Sequence, residues 1–346
     1  MAHTTPEAPA RVTTMRAAVV RRFGAPDVVG IEQVPVPVPR ADEVLVRVHA
    51  TTVSIADHRL RAKDLPKGLG YFGLIALGVF RPRKKILGME ASGVVEQVGA
   101  DVTSFAVGDE VIVMNGSRFG CHAEYVTARA EGSVARKPSA MSHADAAALV
   151  FGGFTAVSFL NRVQLGPDSS VLVNGASGAV GTAAVQLAAH AGARVTAVTS
   201  AGNADLVRSL GADRVIDYAR EDFASGEERY DVIVECVGNA PFERVRGILR
   251  PGGALLLVIS DLRGMLAARG QSRRSGLLIT QQGSGSDASV MHDLVARAEE
   301  GALRSVIDRM YDLDDIVEAH RYVDTGRKRG NVVVQIPDAA NRGAAE

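Results

Sequence analysis

The stretch Val171-Leu-Val-Asn-Gly-Ala-Ser-Gly-Ala-Val-Gly181 holds the residues whose types and spacing most directly suggest chemistry. An apolar run of strand length enters a glycine-rich turn, and a helical pattern follows, with Val185, Leu187, Ala188 and Ala191 at helical spacing. This is the build of a dinucleotide pyrophosphate cradle. The helix start aims unpaired N–H groups and a partial positive charge at phosphate. Gly178 is expected to let the backbone approach the pyrophosphate, and Gly181 to let the helix pack on the strand. The motif departs from G-x-G-x-x-G: position 176 is Ala, with Gly175 just before it. A glycine-rich strand–helix turn also occurs without a ligand, so the context decides. A second strand at Arg194-Val-Thr-Ala-Val-Thr199 closes a βαβ unit. The run Ala176, Ser177, Gly178, Ala179, Val180 and Gly181 is therefore expected to bind the cofactor.

The turn after that second strand bears on which cofactor. An NAD-binding unit places a carboxylate there to grip the ribose hydroxyls. This chain has Thr199-Ser-Ala-Gly-Asn203, and the first acid, Asp205, falls inside the next helix. A 2′-phosphate would meet hydroxyls and an amide, which favours NADPH. Ser200, Arg208 and Tyr218 are the candidate contacts, although Arg208 reads equally as a solvated helix residue.

The elements that must position this turn follow from the rest of the chain. Its 346 residues suit two domains. Hydrophobic content of 47% implies a sizeable core. Lys plus Arg equals Asp plus Glu at 39 each, so no charge excess points to nucleic acid. Cys121 and Cys236 cannot build a disulfide framework, and they suit a reducing cytoplasm. No apolar run reaches membrane-spanning length, and residues 1–14 lack the apolar core of a signal peptide and read as a disordered tail. Residues 15–138 give short alternating strands near 15–20, 43–48, 92–98 and 110–113, separated by turn signals such as Pro35-Val-Pro-Val-Pro39. A helix from about 142 to 163 leads into the glycine motif. Strands at 170–174, 194–199, 214–217, 231–236, 254–260 and 277–282 then alternate with helices at 179–191, 203–210 and 241–249. That is an α/β fold with a doubly wound parallel sheet of six strands, assigned to residues 139–303. A last helix of this unit is expected at about 287–301; a helix near 313–324 and a strand at 331–336 remain, and with the six-stranded sheet complete, residues 304–346 are expected to rejoin the first domain.

Several segments together resemble the medium-chain dehydrogenase/reductase superfamily, in its zinc-independent quinone oxidoreductase-like branch. They are Leu87-Gly-Met-Glu-Ala-Ser-Gly-Val-Val-Glu-Gln-Val-Gly99, Val107-Gly-Asp-Glu-Val111, Phe119-Gly-Cys-His-Ala-Glu-Tyr-Val126, the run from Ala146 to Ala156, and Arg327-Lys-Arg-Gly-Asn-Val-Val333. The resemblance implies a GroES-like β-rich catalytic domain beside the Rossmann domain, and often a homodimer. It also implies that Ala176 is the form this branch tends to carry. The zinc ligands of related alcohol dehydrogenases fall at Ile55, Met89 and about Phe151, none of which serves Zn²⁺ well, so no metal is expected. Without a Lewis acid, acceptors that spread the incoming charge are favoured: quinones and α,β-unsaturated carbonyls.

By the same resemblance, Ser54 faces the nicotinamide end of the cleft and Asp57 holds its loop. His58 is a candidate proton donor, or else a packing or surface histidine. Thr155 is placed near the carboxamide, or bonded to its own helix backbone. Gly238, Val258 and Ile259 stand at strand C-termini where the crevice opens, and Asn331 reaches the cofactor from the returning tail. Tyr71, Phe72, Leu74, Ile75, Leu77 and Phe80 either line a pocket for a small hydrophobic electrophile or form a partner surface. The expected activity is NADPH-dependent reduction. A metal-free alcohol dehydrogenase and a non-catalytic NADPH-binding partner protein are the alternatives.

Overall fold

The computed structural model describes residues 13–65, 68, 77–285 and 287–337. The expected tail at 1–14, apart from its last two residues, and residues 71–76 of the apolar segment lie outside the described residues.

The first unit opens with a hairpin of β1 (Thr14–Val20) and β2 (Val29–Pro35). The long strand β3 (Glu43–Val53) precedes a short helix α1 (Ile55–Ala62). Then come β4 (Glu90–Val98), β5 (Glu110–Met114), β6 (Tyr125–Arg129) and β7 (Val134–Arg136). Strand β3 pairs antiparallel with β4, β6 and the last strand of the chain. Alternate residues Val44, Val46 and Val48 turn inward against Val95, Val111 and Val113, which is the period-two pattern of a half-covered sheet.

Helix α2 (His143–Leu160) joins the two units. Ser142 caps it, its hydroxyl accepting from the Asp145 N–H at 3.1 Å. By length and composition α2 could cross a membrane, which corrects the expectation that no such run exists. Most of it is buried against the rest of the protein, which marks it as a core helix.

The second unit runs β8 (Ser170–Asn174), α3 (Ala179–His190), β9 (Arg194–Thr199), α4 (Ala204–Ser209), β10 (Arg214–Asp217), β11 (Tyr230–Glu235) and β12 (Leu249–Leu257). Helix α5 (Leu262–Ser275), β13 (Leu278–Thr280) and α6 (Asp287–Glu299) complete it. All strand pairs are parallel, in the order β10-β9-β8-β11-β12-β13. Strand order reverses between β8 and β11, which opens a crevice beyond their C-terminal ends.

The tail then returns. Strand β14 (Ile307–Asp312), α7 (Ile316–Asp324) and β15 (Asn331–Gln335) extend the first sheet, with Val332 opposite Val53. Gln186 of α3 fastens the start of this return. Its amide accepts from the Arg304 N–H at 3.0 Å and donates to the Arg304 carbonyl at 3.1 Å.

Four strands and two helices were not foreseen from the sequence. Strands β2, β6, β7 and β14 are short or largely exposed, so their apolar alternation is weak. Helix α5 is polar and rich in arginine, yet it carries end signals: Asp261 accepts from the Gly264 N–H at 2.7 Å, and Gly276 ends it in the left-handed region at φ 72°. Helix α1 lies inside a segment read only for its individual residues.

Replacing Gln186 with Leu keeps the volume but strands the Arg304 backbone groups. Unfolding by urea is expected to show a loss of about 1–3 kcal/mol, with the midpoint displaced and the slope unchanged.

Candidate functional site

The glycine turn sorts its residues by what a side chain would strike. Gly175 has φ 81°, and a Cβ there would lie 2.8 Å from Val237. It is therefore the tight-turn glycine, one place earlier than the motif suggests. Ala176 beside it is fully buried, and both N–H groups donate to the Val198 carbonyl at 3.1 Å. A Cβ on Gly181 would lie 2.1 Å from the Gly175 carbonyl oxygen, so only glycine lets α3 sit this close to the turn. Gly178 differs. Its backbone is extended (φ −80°, ψ 174°) and a Cβ would meet only the Gly175 oxygen at 3.5 Å. Nothing among the described residues requires a glycine there. No side chain caps α3 and its first turn holds no acid. The N–H groups of Ala179, Val180 and Gly181 have no acceptor within the helix, which is the arrangement that receives a phosphate.

A polar cluster lies beside the turn. The Ser177 hydroxyl accepts from the Thr199 hydroxyl at 2.9 Å and from the Asn203 amide at 3.0 Å, and Asn203 also donates to the Ser200 hydroxyl at 3.2 Å. The Tyr218 N–H bonds to the Thr199 carbonyl at 3.2 Å, bringing that residue to the same strand ends with its side chain exposed. Among the described residues no carboxylate takes part in this cluster. Arg208 pairs at 3.1 Å with the exposed Asp205 on its own helix, the solvated alternative named from the sequence.

The returning tail touches the turn directly. The Gly330 N–H donates to the Ser177 carbonyl at 2.8 Å. Asn331 is buried, and its N–H and its amide both donate to the Val306 carbonyl, at 2.8 and 3.2 Å. Thr155 donates to the Phe151 carbonyl at 2.8 Å, the backbone-bonded alternative.

Past the turn, the crevice widens into a cavity of about 750 Å³. Gly238 and Ile259 both line it, within 3.3 Å of each other once a Cβ is placed on the glycine. The Val258 N–H is tied to the Glu235 carbonyl at 3.0 Å. Glu235 is fully buried, and sequence reasoning missed it. Its carboxylate accepts from the N–H groups of Val237 (2.5 Å) and Gly238 (2.6 Å) and from the Asn174 amide (2.7 Å), fixing the turn that carries Gly238. A glutamate closing an apolar strand beside another polar strand end was the available signal.

Helix α1 forms the other wall. Ser54 is buried and acts as its N-cap, accepting from the Ala56 N–H at 3.2 Å and donating to Asp57 at 2.8 Å. Asp57 also accepts from the N–H groups of Ser54 and Gly88, each at 2.8 Å. The Ser54 hydroxyl is thus engaged in holding its own loop. His58 is not brought into the cavity lining. Its Nδ1 lies 2.7 Å from Asp324 and its Nε2 3.4 Å from Asp64. Arg61, one turn further on, donates to both Asp324 oxygens, at 2.6 and 2.5 Å. Residues i and i+3 share a helix face, so His58 and Arg61 point together at α7. Arg59 leaves that face and lines the cavity instead.

Behind this wall Glu90 is fully buried. It accepts from the Thr52 hydroxyl, while its other oxygen has no partner among the described residues. Burial first, and then the Asp57 charge, push its pKa from 4.5 up to about 8. Lys328, whose ammonium donates to the Gly330 carbonyl at 2.5 Å, is pushed down to about 8, chiefly by burial. Burial likewise raises the thiols of Cys121 and Cys236, so neither supplies a thiolate.

Comparison with known proteins places the chain. The family described as "Alcohol dehydrogenase GroES-like domain" matches residues 40–154, and "Zinc-binding dehydrogenase" matches residues 210–334. The chain is 32% identical over 336 residues to a 2-methylene-furan-3-one reductase of Solanum lycopersicum, covering 92% of this chain and 79% of that protein. It is 30% identical over 336 residues to a chloroplastic NADPH-dependent alkenal/one oxidoreductase of Arabidopsis thaliana, with the same coverages of 92% and 79%. The solved quinone oxidoreductase of Coxiella burnetii superposes with a TM-score of 0.81 at 28% identity, covering 94% of this chain and 100% of that one. The chain belongs to the medium-chain dehydrogenase/reductase superfamily, with a GroES-like domain and a six-stranded Rossmann sheet. Within it, this is an oxidoreductase of the quinone oxidoreductase-like branch.

The zinc in the second family's name finds no matching donor set. Ile55, Met89 and Phe151 stand at the positions the resemblance gives to ligands, and neither an alkyl group, a thioether nor a phenyl ring serves Zn²⁺ as a thiolate, imidazole or carboxylate does. Among the described residues no three His, Cys, Asp or Glu gather to hold a metal ion.

The buried Glu90 makes a pH prediction. Its folded pKa lies above its unfolded value, so its contribution to stability is fully present below about 4.5 and is lost as pH rises through about 8. Glu90→Gln is expected to track the wild type near pH 4.5 and to melt progressively higher than it toward pH 8. Thermal denaturation of both proteins across that range checks this; a constant difference between them would contradict it.

Proposed function

We propose that this enzyme reduces quinones or α,β-unsaturated carbonyl compounds with NADPH and without a metal. The observation that carries the reading is the side-chain-free backbone at Gly178, set before an uncapped α3 and flanked by a cluster of Ser177, Thr199, Ser200 and Asn203 that holds no carboxylate among the described residues. Bound there, NADPH supplies the hydride. The free N–H groups of α3 hold the pyrophosphate. The hydroxyl and amide cluster accepts a 2′-phosphate that a carboxylate would repel. Gly238, on a turn made rigid by Glu235 and Asn174, and Ile259, beyond the end of β12, hold the ring end facing the cavity.

The printed names of the relatives support the acceptor class. A methylene-furanone, an alkenal or alkenone and a quinone all take hydride on a conjugated carbon and spread the resulting charge. In such a reaction the protein's contribution is alignment and exclusion of water. The outer edge of β13 has no strand beside it among the described residues, which supports pairing of two copies as a homodimer. The balance of charge and the two buried or half-buried free cysteines support a reducing compartment such as the cytoplasm.

Purified protein with NADPH and a panel of quinones, enones and enals should consume NADPH, read by its near-ultraviolet absorbance. Turnover of simple alcohols by NADP⁺ in the presence of chelator, with no turnover of the panel, would point to a metal-free alcohol dehydrogenase instead. Gly178→Val is expected to leave the melting temperature nearly unchanged while weakening NADPH binding at least tenfold, about 1.4 kcal/mol. Ser200→Asp should shift preference from NADPH toward NADH, seen as a fall in the ratio of the two kcat/KM values.

A further inference from the structure

The geometry points to Arg59 as the group that receives the negative charge formed on the substrate's carbonyl oxygen; this rests on the reductase reading above. The reaction raises the need. Hydride added to the β-carbon of an enone moves the C=C electron pair toward the carbonyl and leaves an enolate oxygen. A metal ion could meet that oxygen, but among the described residues no three His, Cys, Asp or Glu gather to hold one. A preorganised cation in a cavity shielded from water is the other common solution.

Arg59 meets the requirements by position and burial; Arg263, the other cation lining the cavity, is exposed on α5. It lines the cavity shared by Gly238 and Ile259. It is half-buried, and the surrounding protein disfavours its charge, only partly offset by Asp64. Among the described residues no carboxylate lies within ion-pair distance of its guanidinium, because each acid on the cavity wall is engaged elsewhere. Glu235 holds the Gly238 turn, and Asp261 caps α5. Glu243 pairs with Arg246 at 3.6 Å, and Asp64 lies 3.4 Å from His58. The other cations of α1 and its end are also committed: Arg61 to Asp324 and the Gly24 carbonyl, and Lys63 to the Val79 carbonyl at 2.8 Å. A half-buried guanidinium facing a cavity, with no carboxylate of the described residues in ion-pair distance, has donors that an oxyanion would satisfy.

The step balances with NADPH as reductant. Hydride forms the new C–H bond at the β-carbon, the π pair becomes the enolate, and NADP⁺ is left. Arg59 donates N–H bonds to the enolate oxygen and transfers no proton. Water then delivers a proton to the α-carbon, giving the saturated carbonyl compound.

The test uses full-length Arg59→Ala and Arg59→Lys with an enone that the wild type reduces. Arg59→Ala should lose about 10²–10³-fold in kcat, with NADPH affinity within about twofold of wild type. Arg59→Lys should retain more activity than the alanine variant, and added guanidinium chloride at low concentration should restore part of the alanine variant's rate. Melting temperatures and NADPH titration confirm that both variants fold. Near-normal kcat in Arg59→Ala would overturn the assignment while leaving the reductase reading intact. A loss confined to NADPH affinity would make Arg59 a cofactor-binding residue and overturn it equally. Failure of the wild type to reduce any acceptor would instead remove the reading underneath.

Discussion

Everything in this protein converges on a place where backbones meet without side chains between them. At the turn after β8, Gly181 sits against the Gly175 carbonyl, and Gly152 of α2 sits so close that a Cβ would lie 2.3 Å from the Ala179 oxygen. Gly330 of the tail reaches the same turn, and a Cβ on it would lie 2.2 Å from the Val306 oxygen. Three segments far apart in sequence, the turn itself, α2 and the returning tail, thereby meet around the start of α3. Packing at this density tolerates almost no change in volume. The one glycine not consumed by it, Gly178, marks the direction left open for a ligand.

Around this point acids work as fasteners, Asp57 and Glu235 from buried positions and Asp261 from an exposed one. Asp57, Glu235 and Asp261 each accept backbone N–H groups and fix a loop or a helix start. Buried carboxylates are costly unless satisfied in this way. Because they are satisfied locally, they neither crowd the phosphate side nor neutralise the cavity. The rigid walls and the sparse free charge are therefore two outcomes of one distribution of hydrogen bonds.

The sequence made the six-stranded sheet legible because its strands are short apolar runs separated by clear helical patterns, and the completed sheet left the tail nowhere to go but the first domain. Helix α5 was hidden by its arginines, although Asp261 and Gly276 marked its ends. In the site, the glycine turn was legible except for its tight-turn residue, which is Gly175. In α1 the sequence left His58 between two roles, a proton donor and a packing or surface residue. His58 was chosen for its titration range, but the helical period turns His58 with Arg61 toward Asp324 and gives the cavity to Arg59. Chemical type alone could not reveal this; it needed the partner, Asp324, more than 260 residues away.

The pairing of β15 with β3 has a consequence for how the chain is made. Residues 170–299 form a contiguous unit whose strands find their neighbours soon after they emerge from the ribosome. The first sheet cannot finish until its final strand arrives, since Val332–Gln335 must slot beside Ala50–Val53. The domain synthesised first is thus the last to close, and β3 carries an open edge through most of translation. Its early occupant on that edge is β6, which pairs with the opposite end of the same strand at Glu43–Arg47 and is available some 200 residues sooner. Nascent-chain folding should accordingly proceed from the middle of the sequence outward, with the C-terminal strand acting as the keystone.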